Sequence, residues 1–102
     1  PPRGDRGARE MQTHEMIGHR SVWLRVVVAP GPGRVRLLPP VRFHDGHEWV
    51  HEGQPVARIE HGGTAAEVLA PVEGRVTSVL AVEGEPVVAG QPLMAIEEHH
   101  TE

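Results

Sequence analysis

Residues 67–97, EVLAPVEGRVTSVLAVEGEPVVAGQPLMAIE, decide the fold, because the same pattern occurs directly upstream in residues 27–60. Both stretches contain an Ala-Pro pair, a Gly-Arg-Val triplet and a Gly-Gln-Pro triplet, in that order. The motifs are Ala29-Pro30, Gly33-Arg34-Val35 and Gly53-Gln54-Pro55 in the first copy, and Ala70-Pro71, Gly74-Arg75-Val76 and Gly90-Gln91-Pro92 in the second. Short apolar runs separated by Gly and Pro breaks are typical of strands. The chain is therefore predicted to be a duplication of β-strands.

Period-two alternation of apolar and polar residues marks the individual strands. They are predicted at residues 22–28, 34–38 and 55–60 in the first copy, and at 65–70, 75–80, 87–88 and 92–97 in the second. Gly62-Gly63 lies between the copies and is a strong signal for a two-residue hairpin turn, since both central positions of that turn need positive φ. Residues 39–44 lengthen the first copy, and Phe43 and Trp49 are expected to pack this extra loop onto the domain.

The motif A-P-x-x-G-x-V at residues 70–76, followed by G-x-x-V-x-x-G-Q-P-L-x-x-I-E at 84–97, resembles the biotinyl/lipoyl domain family. The resemblance extends over about residues 22–98. It implies an all-β barrel-sandwich hybrid of two four-stranded antiparallel sheets, with the halves related by a pseudo-twofold axis. The expected organisation is a disordered tail at 1–20, the domain at 21–98 and a polar tail at 99–102.

In that family the hairpin joining the halves displays a lysine that carries biotin or lipoate. The resemblance places Gly63 at the position of this lysine, within the turn formed by His61, Gly62, Gly63 and Thr64. No lysine occurs in the sequence, and all ten basic residues are arginine. A guanidinium stays protonated near neutral pH and does not serve as the acyl-accepting amine. We therefore expect no amide-linked biotin or lipoate, and no other cofactor.

Composition narrows the class of protein further. The 102 residues suffice for one domain, and the absence of cysteine excludes disulfides and thiolate metal sites. No apolar run reaches the roughly 20 residues of a membrane-spanning helix. The net charge is −4, with arginines concentrated in residues 1–42 and acids in 43–102, which disfavours nucleic-acid binding. We expect a soluble, cytoplasmic protein that binds a protein partner and does not insert into membranes.

Three interpretations of function follow. The preferred one is a non-enzymatic interaction or assembly module, in a complex of the biotin-dependent carboxylase or 2-oxo acid dehydrogenase type. It would make contact through the turn at residues 61–64 and the loop at 43–51. A second is metal binding by His44, His47 and His51, because imidazoles on one loop can converge on an ion. A third is the barrel of an efflux-pump adaptor, a related family that also lacks the lysine.

Overall fold

The computed structural model describes residues 10–17 and 20–99, and all of its regular structure is β. The strands in chain order are β1 (Glu10–Ile17), β2 (Arg20–Val28), β3 (Gly33–Leu37), β4 (Arg42–His44), β5 (His47–Val50), β6 (Pro55–His61), β7 (Thr64–Leu69), β8 (Gly74–Val79), β9 (Pro86–Val87) and β10 (Pro92–Glu98). No helix in this part of the chain is long and apolar enough to cross a membrane.

The strands form two antiparallel sheets whose order reveals the duplication. One sheet has the order β1-β2-β10-β8-β5-β4, and the other has the order β7-β6-β3-β9. The four central strands of the larger sheet, β2-β10-β8-β5, become β7-β6-β3-β9 when each strand is exchanged for its counterpart in the other half. The predicted barrel-sandwich hybrid with internal pseudo-twofold symmetry is confirmed, and the larger sheet has one additional strand at each edge.

Main-chain hydrogen bonds repeat in the two halves as closely as the motifs do. The Ala29 N–H donates to the Gln91 carbonyl, and Ala29 accepts from Gly90 at 2.8 Å. In the other half Ala70 makes the matching pair of bonds with Gln54 and Gly53, both at 2.8 Å. Each Ala-Pro motif therefore joins the Gly-Gln-Pro motif of the opposite half, which explains why the two motifs occur together in each copy.

The core between the sheets is aliphatic, as the shortage of aromatic residues requires. Its largest fully buried side chains come from both halves and from both sheets: Val27, Val35, Val50, Leu93 and Ile96. At about 25 cal/mol per Å² of apolar area removed from water, each such side chain contributes roughly 1.5–3 kcal/mol relative to an exposed one.

Two glycines permit the close approach of strands at equivalent places. A Cβ on Gly33 would overlap the carbonyl oxygen of Glu60 and lie 2.8 Å from Ile59 Cγ2. A Cβ on Gly74 would overlap the carbonyl oxygen of Glu97 and lie 2.9 Å from Ile96 Cγ2. The Gly-Arg-Val motif is thus a packing requirement, met once in each half.

The additional strands lie where the sequence analysis expects irregular structure. Strand β1 falls within residues 1–20, for which disorder is expected, and it pairs with β2 from Glu10↔Val27 to Ile17↔Arg20. Residues 1–9, 18–19 and 100–102 lie outside the described residues. Strand β1 has no counterpart in the repeat, so the repeat could not predict it; it forms by pairing its main chain with the edge of β2.

The lengthened segment of the first copy is a hairpin. Strands β4 and β5 are joined by Asp45 (φ 54°) and Gly46 (φ 78°), so both turn residues have positive φ. The expectation that Phe43 packs this segment onto the domain is wrong, because its side chain is 65% exposed. Trp49 is half-buried, and its ring meets that of His99 edge-on at 6.2 Å between centroids.

Candidate functional site

The hairpin that joins the halves has the tight turn that Gly62-Gly63 predicts. His61 ends β6 and pairs with Thr64 at the start of β7, while Gly62 and Gly63 have φ of 58° and 84°. Positive φ at both central residues favours glycine and matches the right-handed twist of the flanking strands. The Thr64 hydroxyl donates to the His61 carbonyl at 2.9 Å and closes the loop. All four residues are exposed.

The main-chain atoms of this turn are exposed to solvent. No other atom lies within 4 Å of a Cβ placed on Gly62 or Gly63, so both glycines project into open space. On one side of the hairpin an open groove of about 650 Å³ is lined by Arg34, Glu60, Pro86 and Val87. A smaller groove beside the hairpin is lined by the segment 30–32 with Ile59 and Ala66. The exposed backbone of the turn is therefore accessible to a partner.

Charged side chains on the four-stranded sheet support the base of this hairpin. The Arg36 guanidinium donates to Glu60 at 3.1 Å and to Glu83 at 3.3 Å, and the Leu37 N–H donates to Glu83 at 2.7 Å. These bonds tie β3 to β6 and to the segment before β9. The bond from the Leu37 N–H and the charge of Arg36 lower the pKa of Glu83, and the hydrogen bonds to Glu60 and Glu83 raise the pKa of Arg36. The alternation Arg34-Val35-Arg36 was a signal for these outward-facing arginines, but their acidic partners lie far away in the sequence.

A second concentration of polar side chains lies beside the β4–β5 hairpin. Arg75 donates to Glu97 through Nε at 3.1 Å and Nη2 at 2.6 Å, and Nη1 lies 3.2 Å from His47 Nε2. Because arginine is only a donor, His47 must accept this bond through an unprotonated Nε2. Glu48, on the same strand as His47, is partly buried, and this burial raises its pKa. The arrangement fastens β5 to β8 and β10.

The joining hairpin and the polar cluster beside the β4–β5 hairpin are at opposite ends of the domain. Val28, at the end of β2, pairs with Pro92 at the start of β10. The short connection 29–32 leads from Val28 to β3, where Arg34 pairs with Glu60 beside the joining hairpin. The start of β10 is therefore at the same end of the domain as this hairpin. Glu98, at the other end of β10, pairs with Gly74, which also pairs with Val50 of β5. Seven residues of strand separate these ends by about 20 Å. The turn at 61–64 and the loop at 43–51, expected to act together, do not form one surface.

The candidate metal ligands do not converge in the structure. His44 and His47 are opposite each other in the β4–β5 hairpin, but His44 Nε2 lies 3.3 Å from Asp45 Oδ2 and His47 faces Arg75. His51 follows β5, and its main-chain N–H is held by the Gln54 side chain at 3.0 Å. Within residues 10–17 and 20–99, no three His, Cys, Asp or Glu side chains are placed to hold one ion.

Comparison with known proteins supports the architecture. Residues 25–96 match a protein-family profile with the description "Biotin-requiring enzyme", for biotinyl and lipoyl domains. A solved structure titled "Structure and function of a single-chain, multi-domain long-chain acyl-coa carboxylase" is similar to this chain, with a TM-score of 0.64 and 20% identity. The similarity covers 76% of this chain and 7% of that one, so the chain spans a small part of the carboxylase's length. No curated protein sequence matches.

Proposed function

Because this chain belongs to the biotinyl/lipoyl domain family, we propose that it is a member that carries no prosthetic group and serves as a protein-interaction or assembly module. The observation that carries the proposal is the Gly62-Gly63 turn in a chain without lysine. Biotin and lipoate are held in the family by an amide to a lysine amine. The residues of this turn offer imidazole, hydroxyl and main-chain groups, so they do not fit such an attachment.

The assembly proposed is of the biotin-dependent carboxylase or 2-oxo acid dehydrogenase type. Two observations support it: the family to which residues 25–96 belong, and the likeness of the fold to a segment of a multi-domain acyl-CoA carboxylase. The exposed turn with its flanking grooves is the candidate contact surface. The protein is proposed to have no catalytic activity of its own. The metal-binding and efflux-adaptor interpretations have no support from the placement of the histidines or from the comparisons.

Intact-mass spectrometry after coexpression with a biotin ligase and a lipoate ligase tests the absence of a prosthetic group. The wild-type chain is expected to keep its unmodified mass under both conditions. A mass gain equal to a biotinyl or lipoyl group would contradict the proposal.

A lysine restored to the turn tests whether the hairpin occupies the family's attachment position. Gly63→Lys is expected to become modified by at least one of the ligases, because the added side chain projects into open space, at a strain of about 1 kcal/mol from its positive φ. Gly46→Lys is the matched control: Gly46 also follows another positive-φ residue in an open hairpin turn, and there we expect no modification.

The interaction role is tested by affinity purification from the native host with a crosslinker placed at the turn. Components of a carboxylase or of a 2-oxo acid dehydrogenase should be recovered by wild-type protein. Recovery of the same background proteins by wild type and by a chain with the turn 62–63 replaced by a long polar loop would argue against the role.

A further inference from the structure

The two sheets are related by the internal symmetry but differ at their outer edges. In the larger sheet, β2 is covered along its outer edge by β1, and β5 is covered by β4. Their counterparts β7 and β9 are the outer strands of the smaller sheet, and within residues 10–17 and 20–99 no strand pairs with the free edge of either. Strand β9 has two residues, one of them proline, and such an edge resists pairing. Strand β7 has six residues, without proline or lysine.

The free edge of β7 offers main-chain groups at defined positions. His61 and Thr64 flank a two-residue turn and form a hydrogen-bonded pair, so the alternation of an antiparallel ladder leaves Ala65 and Glu67 with their N–H and C=O groups directed away from β6. The side chains of Ala65 and Ala66 are small and exposed, and Glu67 is exposed as well. Within the described part of the chain, no strand occupies this edge and its side chains from Ala65 to Glu67 are exposed.

We propose that the free edge of β7 binds an extended segment of a partner protein as an additional antiparallel strand, with a basic residue opposite Glu67. This inference rests on the proposed interaction role and names its surface. Strand addition to an exposed sheet edge is a recurring mode of peptide recognition, in which main-chain hydrogen bonds supply affinity and side chains supply specificity.

The pairing of β1 with β2 supplies the template for the register. Ala29 and Ala70 are equivalent in the repeat, and the same offset makes Val26 the counterpart of Glu67 and Leu24 the counterpart of Ala65. Val26 pairs with Met11, so the residue of the incoming strand that takes the place of Met11 lies opposite Glu67. The carboxylate of Glu67 makes no ion pair within the described part of the chain, although Arg58 is its cross-strand neighbour.

Charge favours a basic segment over a second copy of this chain as the occupant. The net charge is −4, and the acids lie mainly in residues 43–102, which include β7. Two copies would bring like charges together, whereas a basic segment is attracted. Strand β1 has the other long edge that no described strand occupies, but its sequence contains two acids, Glu10 and Glu15, where β7 contains one, and charged residues disfavour edge pairing.

The probe is a capped peptide with the β1 sequence of residues 10–17 in which Met11→Lys places a cation opposite Glu67, and Glu10→Gln and Glu15→Gln remove the two acids so that the peptide is basic. Titrated into ¹⁵N-labelled full-length protein, it should shift the amide resonances of β7 and slow the hydrogen exchange of Ala65 and Glu67 at least tenfold. With the Glu67→Lys variant, the peptide that carries Met11→Lys should no longer cause these changes. The peptide that carries Met11→Glu instead should cause them in this variant. Ala65→Pro, which removes an edge-facing N–H without breaking a bond to β6, should abolish both responses.

Other results would overturn the inference. Shifts confined to β2 would mean that the peptide displaces β1, and unchanged β7 resonances would mean that the edge does not accept a strand. Slow exchange of Ala65 and Glu67 without peptide, together with concentration-dependent dimerisation in sedimentation, would assign the edge to a second copy. These measurements do not depend on the mass of the chain. A prosthetic group on the wild-type protein would therefore overturn the proposed function, while the peptide experiment would still decide whether β7 binds a strand.

Discussion

Gly33 and Gly74 show how single residues set the spacing of the strands. Both bring β3 or β8 so close to the neighbouring strand that a Cβ would overlap a main-chain carbonyl oxygen. A backbone atom cannot move aside as the end of a flexible side chain can. The strands would have to separate, which would disturb the buried Ile59 or Ile96 beneath them.

Gly33→Ala and Gly74→Ala should each lower the free energy of unfolding by about 2 kcal/mol, the usual cost of overpacking. Urea denaturation followed by Trp fluorescence measures this change. Gly31→Ala is the control, since no atom lies within 4 Å of its added Cβ and its φ is not positive. Equal stability of all three variants would show that the strands separate at little cost.

As the pH falls, protonation of Glu83 should lower the stability of the protein and protonation of Glu48 should raise it. The pKa of Glu83 is lowered by the Leu37 N–H and by Arg36, so its contribution is present at neutral pH and lost as the pH falls through the folded-state pKa. The pKa of Glu48 is raised by burial, so its ionisation disfavours the folded state as the pH rises.

Glu83→Gln should therefore flatten the loss of stability on acidification below the ordinary glutamate pKa of 4.5, and Glu48→Gln should remove the gain of stability on acidification that Glu48 gives above that value. Denaturation at a series of pH values compares the slopes. Identical slopes for the two variants would contradict these assignments.

At the scale of elements, the β4–β5 hairpin is an addition to the duplicated framework. It is fastened to the domain by two main-chain pairs, Trp49↔Arg75 and Val50↔Gly74, and by the side-chain bonds of Arg75 to Glu97 and His47. Its outer strand is exposed throughout. The Arg75 guanidinium, through its bond to His47, is therefore one of the attachments of this hairpin, beside the buried Val50.

Arg75→Met should destabilise the protein by about 1 kcal/mol, because it retains the stem of the side chain and removes its hydrogen bonds. The fluorescence of Trp49, beside Arg75 in the register, should change at the same time. Arg34→Met is the matched control from the other half, where the guanidinium makes a bond to the Gly84 carbonyl at 3.0 Å, and its effect should be smaller. A larger effect at Arg34 would contradict the view that Arg75 holds the hairpin.

The repeat made the duplicated strands predictable, because each motif has a packing or hydrogen-bonding role that is met twice. Strands β1 and β4 occur once, so the repeat gave no signal for them. Asp45-Gly46 is a turn signal, but the runs beside it, of three residues in β4 and four in β5, are too short for a period-two pattern to mark them as strands. The positions of His44, His47 and His51 relative to the joining turn depend on which sheet β5 enters, and that is decided by contacts distant in sequence.

At the scale of the whole molecule, the halves are interlocked. Strand β2 pairs with β10 of the other half, and β3 of the first half pairs with β9 of the second, so each sheet contains strands from both copies. Neither half has a closed set of hydrogen bonds on its own.

Residues 1–62 and 63–102, expressed as separate fragments, should each be unfolded by circular dichroism and should regain β structure when mixed. Reassociation is expected because the cut falls in the exposed turn, where no buried contact is lost. A fragment that unfolds cooperatively by itself would contradict the interlocked arrangement.

The interlocking also bears on how such a chain could arise. A single-repeat forerunner would have been stable only as an entwined pair of identical subunits, each lending strands to the other. Gene fusion would have joined the end of one subunit to the beginning of the next at residues 62–63. On this account the turn is the point of fusion. The two sheets would then have acquired different edges after the fusion, when the two halves diverged within one chain.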